Sequence, residues 1–141
     1  MKKALILGDS NTWGYDPRGY FQRYDLTYVD YLNDLVAGWM FFEDSLNGRL
    51  LRDVKDETYD LASIDLFCIM LGLNDLMHYY NVDQIVSFMH ELIDSIDTRK
   101  VLILCPPILQ IDIFKVESIR LNETYKNERS LYRLQSIKYE F

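Results

Sequence analysis

Residues 8–14, Gly-Asp-Ser-Asn-Thr-Trp-Gly, place a serine hydroxyl between an acid and an amide directly after the apolar run Ala4–Leu7. A hydroxyl at the mouth of a buried strand can attack a carbonyl carbon, provided that a base takes its proton. Two more stretches carry groups suited to the same reaction. Asn47-Gly48 offers a backbone N–H that no side chain screens, and Gly72-Leu73-Asn74-Asp75 offers a side-chain amide. The tetrahedral intermediate of acyl transfer needs such donors aimed at its oxyanion, and losing one costs roughly a hundred- to a thousandfold in rate. With the Ser10 N–H as a third donor, Ser10, Gly48 and Asn74 form a candidate acyl-transfer site. Each motif also has a plain structural reading: Asp9 and Asn11 as a turn, Asn47-Gly48 as a turn pair, Asn74-Asp75 as a helix cap. Trp13, Tyr15 and Pro17 are candidates for pocket lining and equally for packing.

Three loops act together only if the elements before them are neighbours. Ala4–Leu7, Leu66–Leu71 and Val101–Leu104 are short apolar runs without alternation, the pattern of parallel strands covered on both faces. Trp39–Phe42 is a fourth such run, and Glu43 to Arg49 after it reads as a loop. Helical spacing links Tyr28, Tyr31, Leu32, Leu35 and Val36, and again Ile85, Val86, Met89, Leu92, Ile93 and Ile96, with Asn81 or Asp83 as cap of the second helix. A short helix is expected between the second and third strands. A long segment of helix formers runs from about Phe114 to Leu134. Pro106 and Pro107 close the fourth strand, because proline cannot join a ladder. The alternation predicts one α/β domain, residues 1–141, built on a parallel sheet with helices on both faces. In such sheets ligands bind beyond the carboxyl ends of the strands, where Ser10, Gly48 and Asn74 would gather. At the end of the chain Ile137, Tyr139 and Phe141 alternate like the start of a fifth strand.

Composition narrows the alternatives. The 141 residues are 49% hydrophobic and 26% charged, enough for one core and too apolar for a disordered chain. Twenty-two acids against 15 bases give a net charge of −7, which disfavours a nucleic-acid or anionic-membrane partner. The basic start Met1-Lys2-Lys3 is followed by an apolar run too short for a signal peptide, and no stretch is long enough to span a bilayer. A cytoplasmic protein is expected. Cys68 and Cys105 lie in or at the end of strand-like runs and read as buried free thiols.

Gly-Asp-Ser-Asn-Thr-Trp-Gly-Tyr-Asp-Pro at 8–17, Leu-Asn-Gly-Arg at 46–49 and Met-Leu-Gly-Leu-Asn-Asp-Leu at 70–76 resemble, in order, the first three sequence blocks of the SGNH or GDSL-type hydrolases. Within that superfamily the wording is closest to bacterial arylesterase-like members, and the likeness runs to Val101–Pro107. The resemblance implies a three-layer α/β/α sandwich with a five-stranded parallel sheet of flavodoxin-like order. It implies Ser10 as nucleophile, Gly48 and Asn74 as oxyanion-hole residues, a small-molecule ester as substrate, and no metal or organic cofactor. The family's last block, Asp-x-x-His after the fifth strand, supplies the base, and here the chain stops where that strand would start. The segment between Gly48 and Asp65 is also shorter than is usual in relatives. The expectation is therefore a C-terminally incomplete domain with weak or no activity.

Neither histidine is a ready substitute. His78 lies four residues after Asn74, one helical turn away, whereas His90 sits in the third helix, far from the loops. The alternative to an impaired esterase is a non-catalytic descendant that binds a ligand or recruits a partner. The uncovered sheet edge would then pair with a second copy in a homo-oligomer. A phospho-acceptor receiver domain on a similar sheet fits poorly, because the acids and the lysine it needs after later strands are not evident.

Overall fold

The computed structural model describes residues 1–19, 21–96 and 100–127. Among these, four strands form one parallel sheet in the order β2-β1-β3-β4: β1 Lys2–Gly8, β2 Trp39–Ser45, β3 Leu66–Met70 and β4 Val101–Ile103. The helices are α1 Ser10–Trp13, α2 Tyr28–Leu35, α3 Leu51–Val54, α4 Leu73–Met77, α5 Val82–Ser95 and α6 Asp112–Asn127. Helices cover both faces of the sheet, giving an α/β three-layer sandwich.

The strands are apolar throughout because both of their faces are covered. On one face Ala4, Ile6, Phe41, Leu66 and Cys68 meet Val29 of α2. On the other, Leu7, Phe67, Ile69 and Val101 pack with Leu51, Ile85, Met89, Leu92 and Leu121 from α3, α5 and α6. Each fully buried side chain of this kind contributes roughly 1.5–3 kcal/mol relative to exposure. Helix α5 turns Val82, Ile85, Val86, Met89, Leu92 and Ile93 inward. Its cap is Asn81, whose side chain accepts the Gln84 N–H at 2.8 Å while Gln84 Oε1 accepts the Asn81 N–H at 2.9 Å.

Several boundaries differ from the sequence reading. Glu43, Asp44 and Ser45 belong to β2, because that strand pairs with β1 residue for residue from Lys2 opposite Trp39 to Gly8 opposite Ser45. The ladder overrides three polar side chains that look like loop. Two single-turn helices, α1 and α4, are too short to show a period in sequence. Cys68 is buried, which pushes its thiol up to about 12, but Cys105 is exposed beyond the end of β4. The last helix is described to Asn127, and the candidate fifth strand at Ile137, Tyr139 and Phe141 lies outside the described residues.

Strand β2 is an edge of the described sheet, and Asn33 of α2 occupies part of that edge. Its side chain donates to the Phe41 carbonyl at 3.0 Å and accepts the Phe41 N–H at 2.7 Å, as a neighbouring strand would. Asn33→Ala removes both bonds, and urea denaturation is expected to show a loss of about 1–2 kcal/mol. An unchanged midpoint would mean that water replaces the amide at no cost.

Candidate active site

The order β2-β1-β3-β4 sets the carboxyl end of β1 between those of β2 and β3. The three segments that follow these strands are therefore neighbours at the point where strand order reverses. After Gly8, Asp9 caps α1: its Oδ1 accepts the Asn11 N–H at 3.0 Å and the Asn11 side-chain amide at 3.3 Å. Ser10 is the first residue of that helical turn, half-buried, with its carbonyl accepting the Gly14 and Tyr15 N–H groups. Beneath it Thr12 is fully buried, its hydroxyl 2.7 Å from that of Tyr28. Burial raises the Asp9 carboxyl above the usual range and the charge of Asp75 adds to this, while the Asn11 donors oppose it.

The second segment is tied to the first by Arg49. Its Nη1 donates to the Asp44 carbonyl at 2.8 Å and to the Gly8 carbonyl at 3.3 Å, and its Nη2 reaches Asp44 Oδ1 at 3.0 Å. The Leu46 N–H also donates to the Gly8 carbonyl, at 3.3 Å. Gly48 is exposed with φ +74°, and nothing lies within 4 Å of where its side chain would be. Its side-chain side is thus open, in a backbone conformation that favours glycine.

The third segment begins at Gly72, with φ +125°, where a Cβ would stand 2.6 Å from the Tyr125 hydroxyl. That hydroxyl comes from α6, is buried, and donates to the Leu71 carbonyl at 3.0 Å. Two residues on, Asn74 Nδ2 donates to the Arg49 carbonyl at 3.1 Å, which leaves it a second N–H. Asp75 is fully buried and accepts the Leu51 N–H at 2.9 Å and the Arg52 N–H at 3.1 Å. Burial raises its carboxyl too, against the pull of those two donors. Among the described residues, the N–H groups of Ser10 and Gly48 have no acceptor.

The three sequence-predicted residues thus sit on segments that hydrogen-bond to one another. The segment 14–28 adds a wall: the Asp16 N–H bonds the Gln22 carbonyl, and the Tyr24 N–H bonds that of Gly14. An open cleft of about 460 Å³ lies between this wall and Ser10, lined among others by Tyr15, Pro17, Tyr24, Leu26 and Tyr28. Trp13 does not line it and lies instead under the Arg23 guanidinium, 5.3 Å from ring centre. His78 is exposed at the end of α4, with Nδ1 2.8 Å from the Asn74 carbonyl. Asp75 and His78 have Asp-x-x-His spacing, yet the carboxylate serves α3 and the imidazole its own helix. His90 lies within α5. Among the described residues, no group of three or more His, Cys, Asp or Glu is arranged to hold a metal ion, and no helix is long and apolar enough to cross a membrane.

The family profile for GDSL-like lipase/acylhydrolase matches residues 5–139. The chain belongs to this family. No curated protein matches it. Among solved structures, a protein described as an arylesterase from Agrobacterium tumefaciens superposes with a TM-score of 0.75 at 25% identity, over 91% of this chain and 78% of that one. A carbohydrate acetylesterase from Sinorhizobium meliloti gives 0.69 at 24% identity, over 98% and 81%. An acetylxylan esterase from Geobacillus stearothermophilus gives 0.67 at 20% identity, over 92% and 73%. The last two likenesses concern the fold. In this GDSL-family chain, sequence reasoning missed Arg49 and Asp75, although each stands directly beside a singled-out residue. An arginine after Asn-Gly and an acid after Asn were the available signals.

Asp9 gives a test with a definite sign. Its carboxyl is raised in the folded chain from an ordinary 3.8, so between the two values the native state holds more protons and gains stability as pH falls. Asp9→Asn keeps an oxygen for the Asn11 N–H and removes the titration. The stability of the parent chain relative to this variant is expected to rise as acidification passes through the raised value toward 3.8. Urea denaturation across that range measures it, and a flat or inverted difference contradicts the assignment.

Proposed function

We propose that this chain is an acyl hydrolase for small esters in which Ser10 carries the acyl group. The observation that supports the reading best is the meeting of an accessible serine with three unspent donors. These are the N–H groups of Ser10 and Gly48 and the second N–H of Asn74 Nδ2, beyond the carboxyl ends of β1, β2 and β3 respectively. In the proposed reaction Ser10 Oγ attacks the ester carbonyl carbon and loses its proton. The oxyanion forms against the three donors, and the alcohol leaves with a proton, giving an acyl-serine that water cleaves. The cleft walled by Tyr15, Pro17, Tyr24 and Leu26 suits a small acyl or alcohol group.

Among the described residues no imidazole or carboxylate hydrogen-bonds the Ser10 hydroxyl. A serine without a base is a poor nucleophile near neutral pH, so the 141-residue chain is expected to turn over slowly. The oxyanion donors and substrate binding alone still give a residual rate, roughly 10³–10⁴ above water in a triad enzyme stripped of its triad.

Two measurements test this. A fluorophosphonate followed by intact-mass and peptide analysis is expected to label Ser10 once, and Ser10→Ala to take no label. With p-nitrophenyl acetate, Asn74→Ala is expected to lower the acylation rate by about a hundredfold or more. A parent chain that binds ester but is never modified at Ser10 would be a binding descendant, and the hydrolase reading would fall.

A further inference from the structure

Given the reading of Ser10, Gly48 and Asn74 as the acyl-transfer site, we infer that Arg49 is the positioning residue that sets the three donors at a fixed spacing. Its side chain is 12% exposed, whereas those of Arg18, Arg23, Arg52 and Arg120 are 44–76% exposed. It is the one arginine among these whose guanidinium bridges the ends of two strands: the Gly8 carbonyl at 3.3 Å closes β1, and Asp44, through its carbonyl at 2.8 Å and carboxylate at 3.0 Å, lies at the end of β2. Its backbone works as well. The Arg49 carbonyl accepts Asn74 Nδ2 at 3.1 Å, and the Arg49 N–H closes the Leu46–Arg49 turn at 3.2 Å.

Each donor is thus linked to this residue by the chain, by one hydrogen bond, or by one hydrogen bond and two residues of chain. Ser10 follows Gly8 by two residues, Gly48 precedes Arg49 directly, and Asn74 bonds to it. Gly48 has open space on its side-chain side and an exposed position, so its own packing does not hold it. The planar fork that reaches two carbonyls and a carboxylate at once is a property of guanidinium, and an ammonium on a flexible stem does not reproduce it. Displacing Arg49 moves all three donors relative to one another. A misplacement of about 1 Å in such a site costs on the order of a hundredfold in rate. Arg49 touches neither Ser10 nor, in this arrangement, the substrate, so its effect belongs to the acylation rate and leaves half-saturation by the ester unchanged.

The experiment is single-turnover acylation of the full 141-residue chain by p-nitrophenyl acetate, with acyl-Ser10 read by intact mass and thermal midpoints recorded alongside. Arg49→Lys is expected to acylate about a hundredfold more slowly, with half-saturation and the thermal midpoint close to those of the parent. Arg49→Ala is expected to be slower still, and guanidinium ion at non-denaturing concentration to restore part of its rate. A variant that is merely unstable would be harmed by that ion. Arg49→Lys acylating at the parent rate overturns the inference, as does a loss in Arg49→Ala that follows its thermal midpoint and is not restored. If Arg49→Ala does not fold, Arg49→Lys decides alone. A parent chain that never acylates at Ser10 overturns the reading of the site itself, and the role of Arg49 falls with it.

Discussion

Asp75 has no exposed surface, and among the described residues no cation pairs with its carboxylate. A carboxylate out of water costs several kcal/mol unless donors replace its hydration. Here the replacements are the N–H groups of Leu51 and Arg52, one on each oxygen. Hydrogen bonds to a charged group are worth roughly 1.5–3 kcal/mol each, which is the scale needed to offset that burial. The consequence is mechanical. The start of α3 cannot drift from α4 without stranding a charge, so the segment carrying Gly48 and Arg49 stays beside the helix carrying Asn74. Another buried carboxylate, Asp9, does the same for Ser10 by binding the Asn11 N–H and side-chain amide. Each acid is satisfied by the backbone it has to hold.

These polar clamps rest on an apolar base. Leu7, Ile69, Leu71, Leu73 and Leu76 are buried in one cluster with Ile85, Met89 and Leu121. The strand ends and the first turn of α4 are therefore fixed by packing before any hydrogen bond is counted. Helix α6 reaches in with the Tyr125 hydroxyl to satisfy the Leu71 carbonyl, directly before the turn at Gly72. A glycine is required there on two grounds, a φ of +125° and the 2.6 Å that a Cβ would have from that hydroxyl. Loops set on such a scaffold hold catalytic geometry better than loops held only by their own contacts.

The scaffold was legible in the sequence because burial on both faces writes itself into short apolar runs, and the runs Ala4–Leu7, Leu66–Leu71 and Val101–Leu104 coincide to within two residues at either end with β1, β3 and β4. The strand order and the convergence of Ser10, Gly48 and Asn74 followed from parallel topology and a family resemblance. Glu43 to Ser45 did not emerge, because in an edge strand the ladder decides conformation and side-chain type says little. Arg49 and Asp75 stayed hidden for another reason. Apart from the Asp44 carboxylate beside Arg49, the contacts that tie them across the rim lie 41 and 24 residues away and are to main-chain groups, Gly8 O and Leu51 N–H, which leave no mark in residue identity. Cys105 was misjudged because a run that looks buried up to its last residue gives no sign of where the cover ends.

The hydrogen bonds at the rim separate its donors into two classes, and the separation bears on the proposed chemistry. The first N–H groups of α3 point at Asp75, the Asn11 N–H points at Asp9, and one N–H of Asn74 points at Arg49. Any of these would otherwise compete to bind an anion, since helix starts attract negative charge. With them engaged, the amides of Ser10 and Gly48 and one N–H of Asn74 are among the donors left over. Three donors near a single hydroxyl suit one developing oxyanion on a carbon that the hydroxyl has attacked. They do not suit the dispersed charge of a phosphoryl group, which needs cationic neighbours as well. Of the nearby guanidinium groups, Arg49 is held by Gly8 and Asp44, Arg52 by Asp53 and the Tyr80 hydroxyl, and Arg23 by Glu43 and the Trp13 carbonyl. Cations held by the site's own acids and carbonyls, with neutral amides left free, are what the proposed attack on an acyl carbon calls for.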